Sequence, residues 1–347
     1  MIIKGQATVV KHTGSHYLLA QLPEWNLFPA VLRGKIRLKE SNATNPVAVG
    51  DVVDFEADLP EVANFDGVCL QSLAENVTLE NPAAITSVHK RRNYVIRKST
   101  NLSRQSHIIA SNLDRAFLVV TLDFPQVKLP FLDRLLVTCE VYNVPATLVL
   151  NKCDLYGPEH EDMRAAFHEI YEGAGYSIVE VSAHTGLGVD KLRDIVAGKL
   201  LPDGTPNEAY DPSKPVVSLF SGVSGVGKSS LIKALDPALE PRVGEISDAH
   251  EQGRHTTTFY EMYSLATGGF IVDTPGLRGF GLVDLKKEEI ALYFPEMLRV
   301  SEDCRFAPCT HTHEPGCAVK EAVEAGEISY DRYSSYLGML DEEGKYR

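Results

Sequence analysis

The sequence lacks any long apolar run. No stretch approaches the roughly 20 residues that cross a bilayer, and Met1-Ile2-Ile3-Lys4-Gly5 does not have the shape of a signal peptide. A soluble cytoplasmic protein with no membrane partner is expected. Cysteine is scarce: six in 347 residues is too few for a disulfide scaffold. Cys69, Cys139 and Cys153 are scattered among apolar or motif residues and read as free thiols, whereas Cys304, Cys309 and Cys317 cluster. Internal repeats and low-complexity tracts are absent as well. The length fits two or three domains.

Basic charge is also in short supply, with a formal net charge of −13. That argues weakly against nucleic acid, but the distribution is uneven. Residues 1–110 hold twelve Lys/Arg against ten Asp/Glu, and the remainder holds 22 against 37. Between residues 89 and 105, Lys90, Arg91, Arg92, Arg97, Lys98 and Arg104 stand with no acidic residue among them. Such asymmetry can mark a nucleic-acid contact. A solvated linker would carry the same charges.

What is present is a change of pattern. Residues 7–10, 17–20, 30–32, 51–55 and 67–70 read as short strands between turn residues. Five such strands predict a small barrel, either OB-type or SH3-like. From about residue 114, apolar strands at 116–122, 146–150, 177–182 and 216–220 alternate with helices near 131–142, 159–174, 189–200 and 228–235. This predicts a parallel sheet buried on both faces. Residues 259–265 and 270–272 read as a hairpin, which would make the sheet mixed. Two short helices are expected alongside the cysteine cluster.

Gly222-Val223-Ser224-Gly225-Val226-Gly227-Lys228-Ser229 fits the P-loop pattern, with a strand before it and a helix after it. Backbone N–H groups of such a loop wrap phosphates, and the helix N-terminus adds partial positive charge. Lys228 should reach the β- and γ-phosphates, Ser229 should bind Mg²⁺, and Ser230 follows. Asn151-Lys152-Cys153-Asp154 selects the base. A carboxylate at Asp154 can accept from N1–H and the 2-amino group of guanine. Adenine offers neither donor, and stranding a buried polar group can discriminate by roughly 10⁴-fold. Ser182-Ala183, after the next strand, supplies a backbone N–H for the guanine carbonyl. Asp273-Thr274-Pro275-Gly276 would hold Mg²⁺ through water at Asp273 and sense the γ-phosphate at Gly276. Thr256, Thr257 and Thr258 offer a switch threonine for Mg²⁺, with Thr257 the choice.

The order of these motifs is unusual. In an ordinary small GTPase the base-reading motifs come last, and here they come first. The chemistry requires only that the loops meet at one edge of one sheet. A permutation joining the old termini through residues 202–215 preserves that, and it runs the chain after Asp273 straight into the C-terminal module.

Cys304-x₄-Cys309-x-His311-x₅-Cys317 supplies three thiolates and an imidazole, a set suited to a closed tetrahedral structural zinc site. His313 is the spare ligand. Leu277 occupies the position where many GTPases carry a water-orienting Gln, so His255, beside the threonines, is the candidate catalytic residue. Helping the switch dock on a partner is its other reading.

These residues resemble the circularly permuted GTPases of ribosome assembly, most closely the bacterial ribosome small-subunit-dependent GTPase A family. The resemblance runs over Gly50-Asp51, residues 151–154, 222–230, 253–258 and 273–277, Phe294-Pro295-Glu296, the cysteine cluster, residues 326–329 and Arg332-Tyr333. Residues 34–49 and 112–115 depart from the family's wording. The resemblance implies an OB barrel over 1–95 that binds RNA, a permuted GTPase domain over 96–282 and a zinc module with C-terminal helices over 283–347. It implies a monomer that binds GTP or GDP, contacts rRNA through barrel and zinc module, and hydrolyses GTP in late maturation of the small ribosomal subunit. The alternative is a GTP-dependent switch for a protein partner, which the acidic balance of residues 111–347 favours.

Overall fold

A computed structural model describes residues 2–12, 16–33, 45–59, 70–98, 106–239, 260–274 and 285–345. The chain begins with β1 (Ile2–His12), β2 (Tyr17–Ala20), β3 (Phe28–Leu32), β4 (Val52–Asp58), helix α1 (Leu70–Asn76) and β5 (Ala83–Val88). Strand β1 pairs antiparallel with β2 and with β4, β2 with β3, and β4 with β5, while β3 and β5 run parallel and close the barrel. This is the Greek-key closure of an OB-type barrel. Alternation drives it: Val53, Phe55 and Ala57 point inward along β4, and Phe55 meets Phe28 at 5.0 Å between ring centres.

Of the strand expected at 67–70, residues 67–69 lie outside the described residues. Leu70 opens a helix, because Leu73 and Val77 stand four apart and are both buried, a helical rather than an alternating period. Residues 83–88 supply the strand instead. A further hairpin, β6 (Tyr94–Lys98) with β7 (Ser106–Ser111), was not anticipated and carries part of the basic segment.

The second half builds one sheet. Strands β8 (Arg115–Val120), β9 (Ala146–Leu150), β10 (Ser177–Glu180), β11 (Val217–Ser221), β12 (Glu261–Ser264) and β13 (Phe270–Asp273) lie in the order β10-β9-β8-β11-β13-β12. All neighbours are parallel except β12 with β13, so the sheet is mixed as the pattern predicted. Both faces are buried. Leu118 and Val120 pack with residues of α2 (Leu129–Val141) and α3 (Glu161–Ala174) on one side. Phe117 and Val119 pack with α4 (Val189–Val196) and α5 (Lys228–Leu235) on the other. That two-sided burial is why β8 reads as a continuous apolar run.

Four helices rather than two follow among the described residues: α6 (Lys287–Ile290), α7 (Pro295–Ser301), α8 (Ala318–Glu324) and α9 (Tyr330–Lys345). Their core of Ile290, Phe294, Met297, Val319 and Tyr336 also takes in Val137 of α2. Among the described residues, no helix is long and apolar enough to cross a membrane.

Candidate functional site

Parallel strands deliver their carboxyl ends to one edge, where α/β sheets bind ligands. Asn151 follows β9, Ser182 follows β10, Gly222 follows β11, and Asp273 ends β13. The permuted motifs therefore converge as their chemistry requires.

Asn151 is the hub. Its side chain is fully buried; Nδ2 donates to Val226 O at 2.8 Å in the phosphate loop, and Oδ1 accepts from Ala183 N–H at 3.1 Å. One amide thus ties the base loop, the phosphate loop and the companion loop together. Gly227 must be glycine beside it. Its φ is +86°, and a Cβ there would sit 2.6 Å from Asn151 Nδ2. Lys152 Nζ donates to Gly225 O at 2.7 Å and to Phe124 O. Its stem therefore crosses from the base loop to the phosphate loop. Ser182 Oγ donates to Asp154 Oδ1 at 2.5 Å and accepts from Thr185 N–H at 3.0 Å, which aims the Asp154 carboxylate. Burial pushes the Cys153 thiol up to about 11, so it is no nucleophile at neutral pH.

On the phosphate side, Gly222 packs where a Cβ would meet Val119 O at 2.5 Å. Val223 and Ser229 are half-buried, and Ser224, Gly225 and Ser230 are exposed at the mouth. Lys228 forms a buried ion pair with Asp273. Thr274 Oγ1 donates to Phe220 O at 2.9 Å and fixes the chain just past Asp273. His255, Thr256, Thr257, Thr258, Gly276 and Leu277 lie outside the described residues.

Two contributors were missed in the sequence. The segment after β8 reaches the site through Phe124 O, while Pro125 lies opposite Gly225. Tyr156 Oη donates to Asn151 O at 2.6 Å and accepts from Leu122 N–H at 3.0 Å, bracing the base loop from beneath. No motif announces either of them. An isolated tyrosine five residues after Asn151 acquires a role only when the fold brings Leu122 to it.

Cys304, Cys309, His311 and Cys317 converge, with one ligand atom from each within 4.8 Å of all the others. His311 Nδ1 lies 3.3 Å from Cys317 Sγ and 3.6 Å from Cys304 Sγ, and those two sulfurs are 4.0 Å apart. A tetrahedral zinc with bonds of about 2.3 Å to sulfur and about 2.0 Å to nitrogen would set roughly 3.8 Å between sulfurs and roughly 3.5 Å from sulfur to nitrogen. The donor set and spacing fit such an ion. His313 is exposed and bonds Thr312 at 2.9 Å, away from the cluster. Tyr333 Oη donates to His311 O and Tyr336 Oη to Thr310 O, each at 2.6 Å, so α9 holds the ligand loop.

The basic segment is partly consumed by structure. Arg91 is not a free cation: Nε and Nη2 both donate at 2.6 Å to Asp51, whose carboxylate is fully buried. Arg92 pairs with Asp114 at 2.6 Å but stays exposed, as Lys90 does.

The C-terminal module is held by more than the chain that leads into it after Asp273. Arg332, fully buried, donates to Asp133 of α2 at 2.8 Å and twice to Glu296 of α7, at 2.7 and 3.1 Å. Tyr171 of α3 donates to the same Asp133 oxygen at 3.0 Å. Burial pushes the Asp133 carboxyl up. For Arg332 the burial cost is outweighed by Asp133 and Glu296, which hold the guanidinium above its ordinary range.

A P-loop, a guanine-type Asn-Lys-x-Asp loop braced on it, and a six-stranded sheet with these motifs in rotated order define a circularly permuted GTPase. A model of the RsgA GTPase family matches residues 88–201 and 211–283. A protein of Bacteroides thetaiotaomicron named small ribosomal subunit biogenesis GTPase RsgA 2 is 44% identical over 341 residues, 98% of each chain. Its counterpart from Flavobacterium psychrophilum is 43% identical over 96% of this chain and 91% of its own. The crystal structure of YjeQ from Thermotoga maritima superposes with a TM-score of 0.72 at 29% identity, covering 99% of this chain and all of that one. That of YloQ, described as a circularly permuted GTPase, gives 0.67 at 24% identity over 99% and 96%, and speaks to the fold alone. The chain belongs to the RsgA GTPase family, and it is a GTP hydrolase.

Proposed function

We propose that the chain binds GTP with Mg²⁺ at the edge described above, hydrolyses it to GDP and phosphate, and acts in late maturation of the small ribosomal subunit. The observation that carries the nucleotide assignment is Asn151, whose one amide braces the phosphate loop and the guanine loops on each other. Asp154 reads guanine together with the Ala183 N–H, which turns from Asn151 Oδ1 to the guanine carbonyl or is shared between them, with Lys152 along the purine face and Cys153 between Lys152 and Asp154. Residues 222–230 wrap the phosphates, and Ser229 and Thr257 bind Mg²⁺. Binding of the β- and γ-phosphates draws Lys228 off Asp273, which frees that carboxylate for a Mg²⁺-bound water. Gly276 senses the γ-phosphate. His255 orients the attacking water, because Leu277 can neither donate nor accept.

The remaining assignments follow the same reading. Residues 1–95, 96–282 and 283–347 form barrel, GTPase domain and zinc module, supported by an apolar core within the first and by one in the last that also takes in Val137 of α2. One structural zinc sits on Cys304, Cys309, His311 and Cys317, and four protein ligands leave no open position for chemistry. The protein is a cytoplasmic monomer that meets rRNA through barrel and zinc module, and small subunits stimulate its hydrolysis.

Co-sedimentation with small subunits in the presence of a non-hydrolysable GTP analogue, but not GDP, tests the partner. Single-turnover hydrolysis with and without subunits, for wild type and His255→Ala, tests the catalytic group. A His255→Ala protein that binds subunits and is fully stimulated has lost nothing catalytic. A wild type that ignores subunits points to a protein partner instead, a reading that the commitment of Arg91 to Asp51 favours.

A further inference from the structure

The barrel is joined to the GTPase sheet at a chemically pointed place. Lys11, near the end of β1, stands opposite Glu261 of β12. Glu261 stands opposite Asp273 of β13, and Asp273 is the residue paired with Lys228. Directly opposed residues of antiparallel strands share a face, with Cβ atoms about 5 Å apart. Two carboxylates therefore face each other across β12 and β13, and each is drawn away by a cation from outside. Lys11 Nζ holds Glu261 Oε1 at 2.7 Å, with both side chains largely buried. Lys228 holds Asp273. The row reads cation, anion, anion, cation from barrel to phosphate loop.

This balance shifts when Lys228 moves to phosphate. Asp273 then keeps an uncompensated carboxylate, Glu261, as its cross-strand neighbour. Like charges directly opposed in a sheet are destabilising. A second carboxylate left loose there would also compete for the metal that Asp273 serves. Lys11 is the group that prevents both, because it anchors Glu261 toward the barrel. The same joint is flanked by Trp25 against Phe270 of β13, with ring centres 5.5 Å apart. The barrel's position on β13 is thus fixed beside the charge row.

We propose that Lys11 is a positioning residue for GTP hydrolysis: a barrel side chain that withdraws Glu261 so that Asp273 alone serves Mg²⁺. The inference rests on the nucleotide reading above. It makes the barrel part of the hydrolytic machinery, so that any partner that shifts the barrel alters metal use at the site.

The test is a double-mutant cycle in the full chain, read as the Mg²⁺ concentration for half-maximal binding of a fluorescent non-hydrolysable GTP analogue and as that for half-maximal GTP hydrolysis. Lys11→Met should raise the Mg²⁺ requirement about fivefold, the scale of a like-charged cross-strand neighbour. Glu261→Gln should stay near wild type. Lys11→Met/Glu261→Gln should return to wild type, since no carboxylate remains to be held. A joint with a merely structural role gives another pattern: Glu261→Gln as damaging as Lys11→Met, and a double variant no better. That pattern, or a Lys11→Met protein indistinguishable from wild type, overturns the proposal. Asp273→Asn separates the underlying reading. If it leaves the Mg²⁺ dependence intact, the assignment of Asp273 fails and the role of Lys11 falls with it. If Asp273→Asn abolishes the dependence while Lys11→Met is silent, only the role of Lys11 falls.

Discussion

Barrel and zinc module are each secured by an arginine on a buried aspartate, yet the two joints differ in reach. Arg91 meets Asp51 together with Ser111 Oγ at 2.6 Å and Ala48 N–H at 2.8 Å. Every donor comes from the barrel or the adjoining β6–β7 hairpin, and the carboxylate is fully satisfied. Gly50 belongs to this joint: its φ is +91°, and a Cβ would lie 2.1 Å from Ser111 O. Contact with the GTPase sheet itself is made by Lys11–Glu261 at the phosphate-side edge and by apolar packing, in which Val10, Ala20 and Trp25 meet residues such as Met262 and Phe270. Arg332, by contrast, reaches straight into α2, between two carboxylates, and lies at 2.8 Å from Asp133 and 2.7 Å from Glu296. The zinc module is therefore packed onto the helices behind the base-reading strands, and the barrel rides on the strands that carry Asp273. Guanine recognition is backed by the zinc module, and the phosphate side by the barrel, through the β12 edge and the apolar contact of Trp25 with Phe270.

The largest effect that can break this contrast is loss of metal. Structural zinc contributes on the order of 10 kcal/mol to such modules. Cys309→Ser should unfold residues 304–317 and loosen α9, which reaches the ligand loop through Tyr333 and Tyr336. GTP affinity should fall far less, because the site is braced by Asn151 and Tyr156 from within the sheet. Metal analysis finding no zinc in protein purified without chelator would defeat this, and so would a parallel collapse of GTP binding.

Next in size is Asp154→Asn. Guanine should lose its paired acceptor, at a cost approaching 10⁴-fold in affinity, and xanthine nucleotides should gain, because an amide can donate to a 2-carbonyl. Titration with GTP and XTP reads both. Unchanged GTP affinity would remove Asp154 from the site, and the zinc-module side would then back no base reader.

Much of this was legible beforehand, for a physical reason. The P-loop, the Asn-Lys-x-Asp loop and the cysteine cluster are local strings whose chemistry is fixed by spacing, and their convergence follows from parallel strands sharing an edge. What could not be read is what depends on long-range partners. Arg91 looked like a free cation because Asp51 is forty residues away. Arg332 belonged to a recognised string, but its partners Asp133 and Glu296 come from two other helices. The barrel strand at 83–88 escapes a reading by pattern because a short apolar run does not reveal its period, whereas Leu73 and Val77 show theirs only once both are packed in the barrel core.

The buried joint gives the third prediction. Arg332→Met leaves Asp133 and Glu296 buried without their cation, which typically costs 3–5 kcal/mol. Changing Asp133 and Glu296 to Leu in the same protein should recover much of that loss, since an apolar replacement needs no desolvated charge. Urea melts of the three proteins decide it. A loss below about 1 kcal/mol for Arg332→Met would mean that Val137 and the surrounding apolar core, rather than the ion cluster, hold the module in place.

The smallest effect separates the cations of the barrel joint from one another. Lys90 is exposed, and Arg92 is exposed with a partner, Asp114, that is itself partly open to solvent. Such a pair is worth about 0–1 kcal/mol, so Arg92 can leave Asp114 for a phosphate at little cost. Arg91 cannot, because withdrawing it strands a buried carboxylate. If RNA is the partner, neutralising Lys90 and Arg92 should each flatten the dependence of log affinity on log salt by about 0.7–0.9, one phosphate contact apiece, while leaving thermal stability unchanged. Arg91→Gln should do the reverse and lower stability without altering the slope. Binding to small subunits measured between about 50 and 200 mM salt, beside melting curves of the same variants, gives both readouts. An unaltered slope for Lys90→Gln and Arg92→Gln would remove this segment from any phosphate contact and shift the weight to a protein partner. A changed slope for Arg91→Gln would mean that the Asp51 joint opens on binding, and the contrast between the Arg91 joint and the Arg332 joint, buried between two helices, would then become sharper.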